Sequence, residues 1–514
     1  MKSVKYLTII AIAGMALGSC KKSFLTLYPQ GNLNTGNFYK TTSDFQQALV
    51  ATYEPLRDAA NVAFYLEEMR ADNTYFDYNT KDRGSQSTEE ISYFLDDAND
   101  PEISTIWTAD YNGIQRANVI LDQITGATAV PDSAKNAIRG EAEALRAHYY
   151  FELVRLFGGV PLYLHQTTTN ANAFVARSSV DSVYSQIVSD LTDALGKVAL
   201  PASFPGTGRV TKGMIATELG AVYLTQKQWS QASTILQTVT TMGYGLLANY
   251  GDVFTTANEN SKEAIFEIQY KSGTDGQSSA FIYRFIPATP QTLNILGVQY
   301  NNNTNNYGGW NVPTQNVIGT YEPGDRRLDA SVAVTKGKLD GAQYFEPDSV
   351  VSVLSPATPG EISKNFIRKY YHLPYGLIDN TDQDWYVYRY SDVLLMLAEA
   401  LNEQGQGASA LQYLNPVRER AGLGDVNITD QTTLRDTIAH ERRVELAFEN
   451  HRWFDLVRTG QAISVLTPYG ATQMATYSYL LPQSYQVTQN RLIYPIPFRE
   501  NQVNPSGLPQ NPGY

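Results

Sequence analysis

The stretch HERRVELAFENHRWFDLVRTG, His440 to Gly460, holds four arginines, four carboxylates and two histidines beside the rings of Phe448, Trp453 and Phe454. Such side chains supply metal ligands, general acids and anion clamps, so their spacing decides which chemistry is open. His440-Glu441 begins like a zinc-binding helix, but the position one turn on is Val444, and His451 lies too far along to be the second ligand. On a continuous helix Glu445, Glu449 and Arg452 share one side, Arg442 reaches Glu445, Arg452 reaches Asp455 and Asp455 reaches Arg458. Val444, Ala447, Phe448, Trp453, Leu456 and Val457 cover more than half of the cylinder, too wide a stripe for a surface helix. The spacing therefore predicts a central helix whose charges pair with their own neighbours, because an unpaired buried arginine costs on the order of several kcal/mol.

Other catalytic patterns are missing from the sequence. There is no G-x-S-x-G elbow, no P-loop and no G-x-G-x-x-G after a strand, and GTGRVTKG from Gly206 lacks both spacing and context. A glycosidase stays formally open, since two carboxylates from distant segments would suffice, although an acidic chain supplies carboxylates in any case. No EF-hand spacing occurs, and no metal or cofactor is assigned. The formal charge of -12, without a basic cluster, argues against nucleic acid as a partner. Tyrosine outnumbers phenylalanine 35 to 19, so much of the aromatic surface carries a hydroxyl that suits wet recognition.

The elements that would position these groups are mostly helical. GEAEALRAHYYFELVRLF, Gly140 to Phe157, reads as a buried helix stopped by Gly158-Gly159 and Pro161. MIATELGAVYLTQKQWSQASTILQTV sets Leu219, Gly220, Tyr223, Ala232, Leu236 and Val239 at the small-large spacing of a tetratricopeptide unit, with Trp229 as packing between its helices. VLLMLAEALNEQGQGASALQYLNPVRERAG repeats the offsets with Ala398, Leu401, Ala410, Leu414 and Val417. The expected fold is thus mainly α, with tetratricopeptide-like helix pairs as scaffold and long irregular loops with a few short strands carrying the ligand site. Irregular stretches are read at Asp72 to Asp100 and between Ser261 and Tyr388, where AIFEIQYKS alternates like a strand and NNNTNNYGGW runs from Asn301 to Trp310.

At the N-terminus, MKSVKYLTIIAIAGMALGSC has the layout of a secretory signal peptide ending in a lipobox-like Leu17-Gly18-Ser19-Cys20. Cys20 is the sole cysteine, which is explained if its sulfur takes a lipid. The expected division is a signal peptide at 1–19, an N-terminal helical region at 20–260 and a C-terminal region at 261–514, the last two packing as one compact unit.

Together the lipobox, WTADYNGIQRANVILDQI, GEAEALRAHYYFELVRLFGGVPL, GRVTKGMIATELGAVYL, RYSDVLLMLAEALNEQG, LNPVRERAG, the opening stretch and the ending YPIPFRENQVNPSGLPQNPGY resemble the SusD/RagB family of Bacteroidetes outer-membrane nutrient-binding lipoproteins, in order from Cys20 to Tyr514. The resemblance implies a non-catalytic, lipid-anchored outer-membrane protein, displayed at the cell surface, that passes glycans to a SusC-like TonB-dependent transporter. Lys21-Lys22 departs from the acidic residues that many surface-displayed relatives carry there.

No family motif assigns the ligand residues, so chemistry must choose them. Sugars present C–H faces edged by hydroxyls, which exposed aromatic rings flanked by Asn, Asp and Arg can bind. Two segments have that mixture: Asp72, Asn73, Tyr75, Tyr78 and Arg83, and then Tyr283, Tyr300, Asn305, Tyr307 and Trp310. Trp310 is expected as an exposed loop ring after Gly308-Gly309, the competing expectation being that it packs into the core. A reading of another class is an assembly lipoprotein whose helix pairs bind a polypeptide.

Overall fold

A computed structural model describes residues 38–79, 83, 85–300 and 307–514; the segment read as a signal peptide, Cys20 and Asn305 lie outside the described residues. Helix α1 (Thr42–Glu67) starts at a reciprocal cap, in which the Asp44 amide donates to the Thr41 hydroxyl and the Thr41 amide to the Asp44 carboxylate. Pro101 opens α2 (Pro101–Ile124) under an Asp100 cap. The predicted buried helix is the second half of α3 (Asp132–Phe157), and it stops where expected, at Gly158 with φ of 74°. Helices α4 (Val180–Leu195), α5 (Lys212–Thr225) and α6 (Trp229–Val239) follow, each packed on its predecessor.

Both tetratricopeptide-like pairs form. The first is α5 with α6; the second is α7 (Tyr390–Glu403) with α8 (Gly407–Arg420), backed by α9 (Gln431–Glu445). A Cβ on Gly220 would lie 2.4 Å from the Leu236 side chain, so the small residue sets how closely α5 and α6 approach. Helix α6 also packs on α7, which joins the two pairs across the intervening chain. Trp229 is half-buried against the main core at the start of α6, in keeping with packing. The main apolar core draws on residues from Phe45 to Leu508, and a second, smaller cluster (Leu394, Leu395, Ala398, Ala410, Leu414, Val417, Leu434 and Ile438) lies among α7, α8 and α9. Among the described residues no helix is long and apolar enough to cross a membrane.

The region read as polar loops holds more strand than its composition announces. β1 (Thr74–Tyr75) pairs antiparallel with β3 (Val312–Pro313), and β2 (Ala264–Ile268), the predicted strand, with β7 (Trp385–Arg389). β4 (Val332–Leu339) is the centre of an antiparallel sheet between β5 (Phe345–Ser352) and β6 (Ile362–Ile367). The outer strands are largely solvated, which is why their sequences read as loop. A short helix, Gln86–Ser92, interrupts the other irregular stretch.

The charged stretch departs from its expected form. Helix α9 ends at Glu445; Phe448 and Asn450 take left-handed conformations with φ of 69° and 67°; and the chain restarts as α10 (Arg452–Arg458). The break redirects the charges. Glu445 pairs with Arg327, Arg389 and Arg420, Glu449 with Arg389 and Lys369, and Arg442 with Asp392 and Asp455, whereas Asp455–Arg458 survives as a local pair at 2.6 Å. Burial by itself would raise the Glu445 carboxyl, but Arg420, Arg389 and Arg327 hold it well below the usual range. Central burial was legible; local pairing was not the solution.

Candidate functional site

The first predicted ligand segment begins with two residues that are consumed structurally. Asp72 is buried, and its carboxylate accepts from Arg452 Nε at 2.8 Å and pairs with Arg443 at 2.8 Å. Burial would raise it, yet Arg452 and Arg443 keep it below the ordinary value. Asn73 is buried too, donating to Glu68 at 3.0 Å and accepting from Arg443 Nε at 2.9 Å. Glu68 also accepts the amides of Phe448 and Asn450 at 3.1 and 3.0 Å, and so holds the left-handed break in place; burial outweighs those bonds and pushes its carboxyl up to about 7. The placement of Asp72 and Asn73 on a ligand surface is therefore corrected: they fasten the start of β1 to the charged stretch. Desolvated charges must be paired, and this pairing fixes the loop.

What the clamp positions is a set of tyrosines. Tyr75 lies in β1 and its ring runs nearly parallel to that of Tyr477, with centroids 6.2 Å apart. Tyr78 stacks on Tyr479 at 3.8 Å and 14°, and the Arg83 guanidinium lies 5.1 Å from the centre of the Tyr78 ring. Arg83 also pairs with the buried Glu89 at 2.6 Å. Tyr477 and Tyr479 are themselves 5.5 Å apart. All four rings are half-buried, with Ser478, Leu481 and Gln483 exposed alongside. The Tyr479 ring lies 6.2 Å from the buried ring of Tyr93, which in turn lies 6.1 Å from the buried Tyr485. An aromatic wall results, with the Arg83 guanidinium beside Tyr78.

Tyr477 and Tyr479 escaped the sequence reading. They follow α11 (Ala462–Thr476) in the run TYSYLLPQSY, whose every-other-residue tyrosines before a proline are the signal that marks them. Residues of a wall built from segments some 400 positions apart carry no local signature.

The second predicted segment is brought to the same region, since β3 pairs with β1 and the Asp77 amide donates to Gly309 O at 2.8 Å. Its members divide by burial. Tyr300 is half-buried and lies over Tyr307 at 4.4 Å. Tyr307 is buried, donates to Asp379 and has Arg284 5.4 Å from its ring centre. Tyr283 is 0% exposed and donates to Leu377 O at 2.7 Å, so it belongs to the core. Trp310 is 9% exposed, 4.3 Å from Phe76 and edge-on to Tyr65 at 5.2 Å. The exposed loop ring expected at Trp310 is thus corrected to a core ring. The glycines before it act inward: a Cβ on Gly308 would fall 2.4 Å from Ile286 O. Among the described residues no group of three His, Cys, Asp or Glu is placed to hold a metal ion.

A scaffold of stacked helix pairs carrying an aromatic surface on its loops is the build of a recognition protein. Residues 262–514 match the model of the SusD family, and residues 30–224 that of a family described as starch-binding associating with outer membrane. The chain belongs to the SusD/RagB family. A SusD-like protein of Formosa agariphila is 30% identical over the full length of both chains, and another of that organism is 29% identical over all of this chain and 99% of its own. Among solved structures, a laminarin-binding SusD-like protein is 28% identical with a TM-score of 0.73 over 93% of this chain and 100% of that one. Surface glycan-binding protein A from Bacteroides thetaiotaomicron shares the fold, with a TM-score of 0.74 over 93% of this chain and 100% of its own at 23% identity.

Proposed function

We propose that this chain is a lipoprotein of the outer membrane, anchored through Cys20 and displayed at the cell surface, that binds a glycan at the tyrosine wall and delivers it to a SusC-like TonB-dependent transporter without cleaving it. The observation that carries the reading is the wall itself: Tyr75 and Tyr78, which follow the clamped start of β1, stack on Tyr477 and Tyr479, and all four rings are half-buried. Rigid rings bind a sugar's C–H face at low entropic cost, while tyrosine hydroxyls and Arg83 exchange hydrogen bonds at its edge. Relatives named for binding laminarin or surface glycans support the ligand class.

A glycan-array screen of the form that begins after Cys20, followed by calorimetry on the best ligand, tests this. Tyr78→Ala with Tyr479→Ala should weaken binding by on the order of tenfold or more, taking about 1 kcal/mol per aromatic contact. An array with no glycan bound, or an affinity untouched by the double substitution, sinks the reading. Co-purification of a TonB-dependent barrel in gentle detergent checks delivery, and mass spectrometry of the Cys20 peptide checks the anchor.

A further inference from the structure

We infer that a groove apart from the tyrosine wall is a second carbohydrate site, selective for a neutral sugar. It lies between α2, the segment from Pro161 to Val175, and α12 (Phe498–Val503) with the turn that follows it. It encloses about 440 Å³, within the range of about 300–1,000 Å³ typical of small-ligand clefts. None of its lining residues belongs to the wall.

The groove has an aromatic corner whose rings are pinned through their hydroxyls. Tyr111 donates to Pro161 O at 2.9 Å and Tyr163 to Ala173 O at 2.8 Å. The two rings stand 5.8 Å apart at 89°, and Trp107 backs Tyr111 at 4.9 Å. With their hydroxyls spent on backbone, these rings keep only faces and edges for a ligand. At the rim Phe174 is 55% exposed, a costly placement for a phenyl ring that no described residue covers. Its loop is tied down by Asn504, which donates to Val175 O at 3.4 Å and accepts from the Gly507 amide at 3.2 Å. The apolar surface is therefore held in one shape before any ligand arrives.

Beside the rings stand polar groups that the described residues leave without hydrogen-bond partners. The side chains of Thr108, Asn112 and Glu500 make no hydrogen bond among the described residues. Gln115 uses its carbonyl to accept from the Thr167 amide at 3.4 Å and keeps its NH2 donors. A hydroxyl, two amides and a carboxylate next to fixed aromatic faces provide the donors and acceptors that a pyranose edge requires. Among the described residues the lining includes one carboxylate and no Lys, Arg or His, so a uronate or sulfated sugar would meet a like charge with no counter-ion there. That selects neutral sugars. A purely apolar peptide would leave the same polar groups desolvated and unpaired.

The inference takes its ligand class from the groove and does not depend on the wall. Its test uses the full-length protein in a detergent without a sugar headgroup, mixed with maltohexaose, laminarihexaose or xylohexaose, with hydrogen exchange followed segment by segment. At least one neutral sugar should protect residues 105–116, 161–175 and 498–508. That protection should persist in Tyr78→Ala/Tyr479→Ala and weaken more than tenfold in Asn112→Ala/Phe174→Ala. Both groove side chains are exposed, so an unchanged melting temperature is expected to verify the fold. An oligogalacturonate should give no protection there. Four outcomes overturn the inference: no protection of these segments by any neutral hexaose at millimolar concentration, protection equal in the groove variant, protection lost only in the wall variant, or protection by a hydrophobic peptide where no sugar protects. Protection at residues 74–79 and 477–480 reports on the wall separately, so either site can fail without the other.

Discussion

Trp310 shows at the scale of one residue how a ring fit for recognition can serve packing instead. Wedged between Phe76 and Tyr65, it joins β3 to the core beneath the wall. Trp310→Ala should cost about 3–5 kcal/mol, seen as a clear drop in melting temperature. An unchanged melting temperature would put the ring back at the surface. Asp110 makes the opposite prediction. It is buried, neither carboxylate oxygen has a hydrogen-bond partner among the described residues, and burial with the neighbouring Glu152 raises its carboxyl well above the usual value against a smaller pull from Arg155. A raised folded value means the native state keeps its proton, so this group's contribution is intact below about pH 4 and declines as pH rises toward the folded value. Asp110→Asn should therefore stabilise the protein, by at least about 1 kcal/mol at pH 7 and by little at pH 4. Thermal melts at both pH values decide it; equal gains at both would refute the ionisation argument.

At the scale of elements, the tetratricopeptide-like pairs depend on small residues at the helix crossings. Gly220 sits in mid-helix, where glycine is unfavourable by roughly 0.5–1 kcal/mol relative to alanine, and is justified by the contact with Leu236. Gly220→Val should destabilise by about 1–3 kcal/mol, because α5 and α6 must part to admit the branched side chain. Joint substitution with Leu236→Ala should recover part of the loss, and chemical denaturation of both variants would show it. The break between α9 and α10 belongs to this scale as well. Neither Gly nor Pro marks residues 446–451, and helical periodicity runs straight through them, so an unbroken helix was the reasonable expectation. The chain turns there because Glu68, from the end of α1, accepts the amides of Phe448 and Asn450.

Across the whole molecule, the buried charge network should dominate the response to acid. Glu445 is held well below its usual value and Glu449 is lowered as well, burial being overcome by their arginine partners. Lowered folded values mean that their contribution is complete above about pH 4.5 and lost as pH falls through the folded values. Glu68 and Glu267, both pushed up to about 7 by burial, act in the other direction and draw stability down as pH rises from about 4.5 to 7. Urea titrations from pH 3 to 8 should accordingly find maximal stability at about pH 4.5, with a steep fall below it and a shallower decline toward pH 7. Glu445→Gln should cost about 3–5 kcal/mol at neutral pH, since it leaves three arginines undercompensated, and should flatten the acid limb. An acid limb of unchanged slope in that variant would move the effect elsewhere.

The sequence alone determined the helical scaffold, the two helix pairs, the stop after α3 and the burial of the charged stretch, because periodicity, small-large spacing and helix caps are written in residues near one another. It also singled out the two segments that meet at the candidate site. Which of their side chains face solvent was decided by tertiary structure alone. Asp72 and Asn73 turn inward because Arg443, Arg452 and Glu68 lie beneath them, Trp310 and Tyr283 because the core has room for their rings, and Tyr75 and Tyr78 stay at the surface beside Tyr477 and Tyr479. A residue's type sets what it can bind, but its exposure depends on neighbours hundreds of positions away, and no local pattern carries that information.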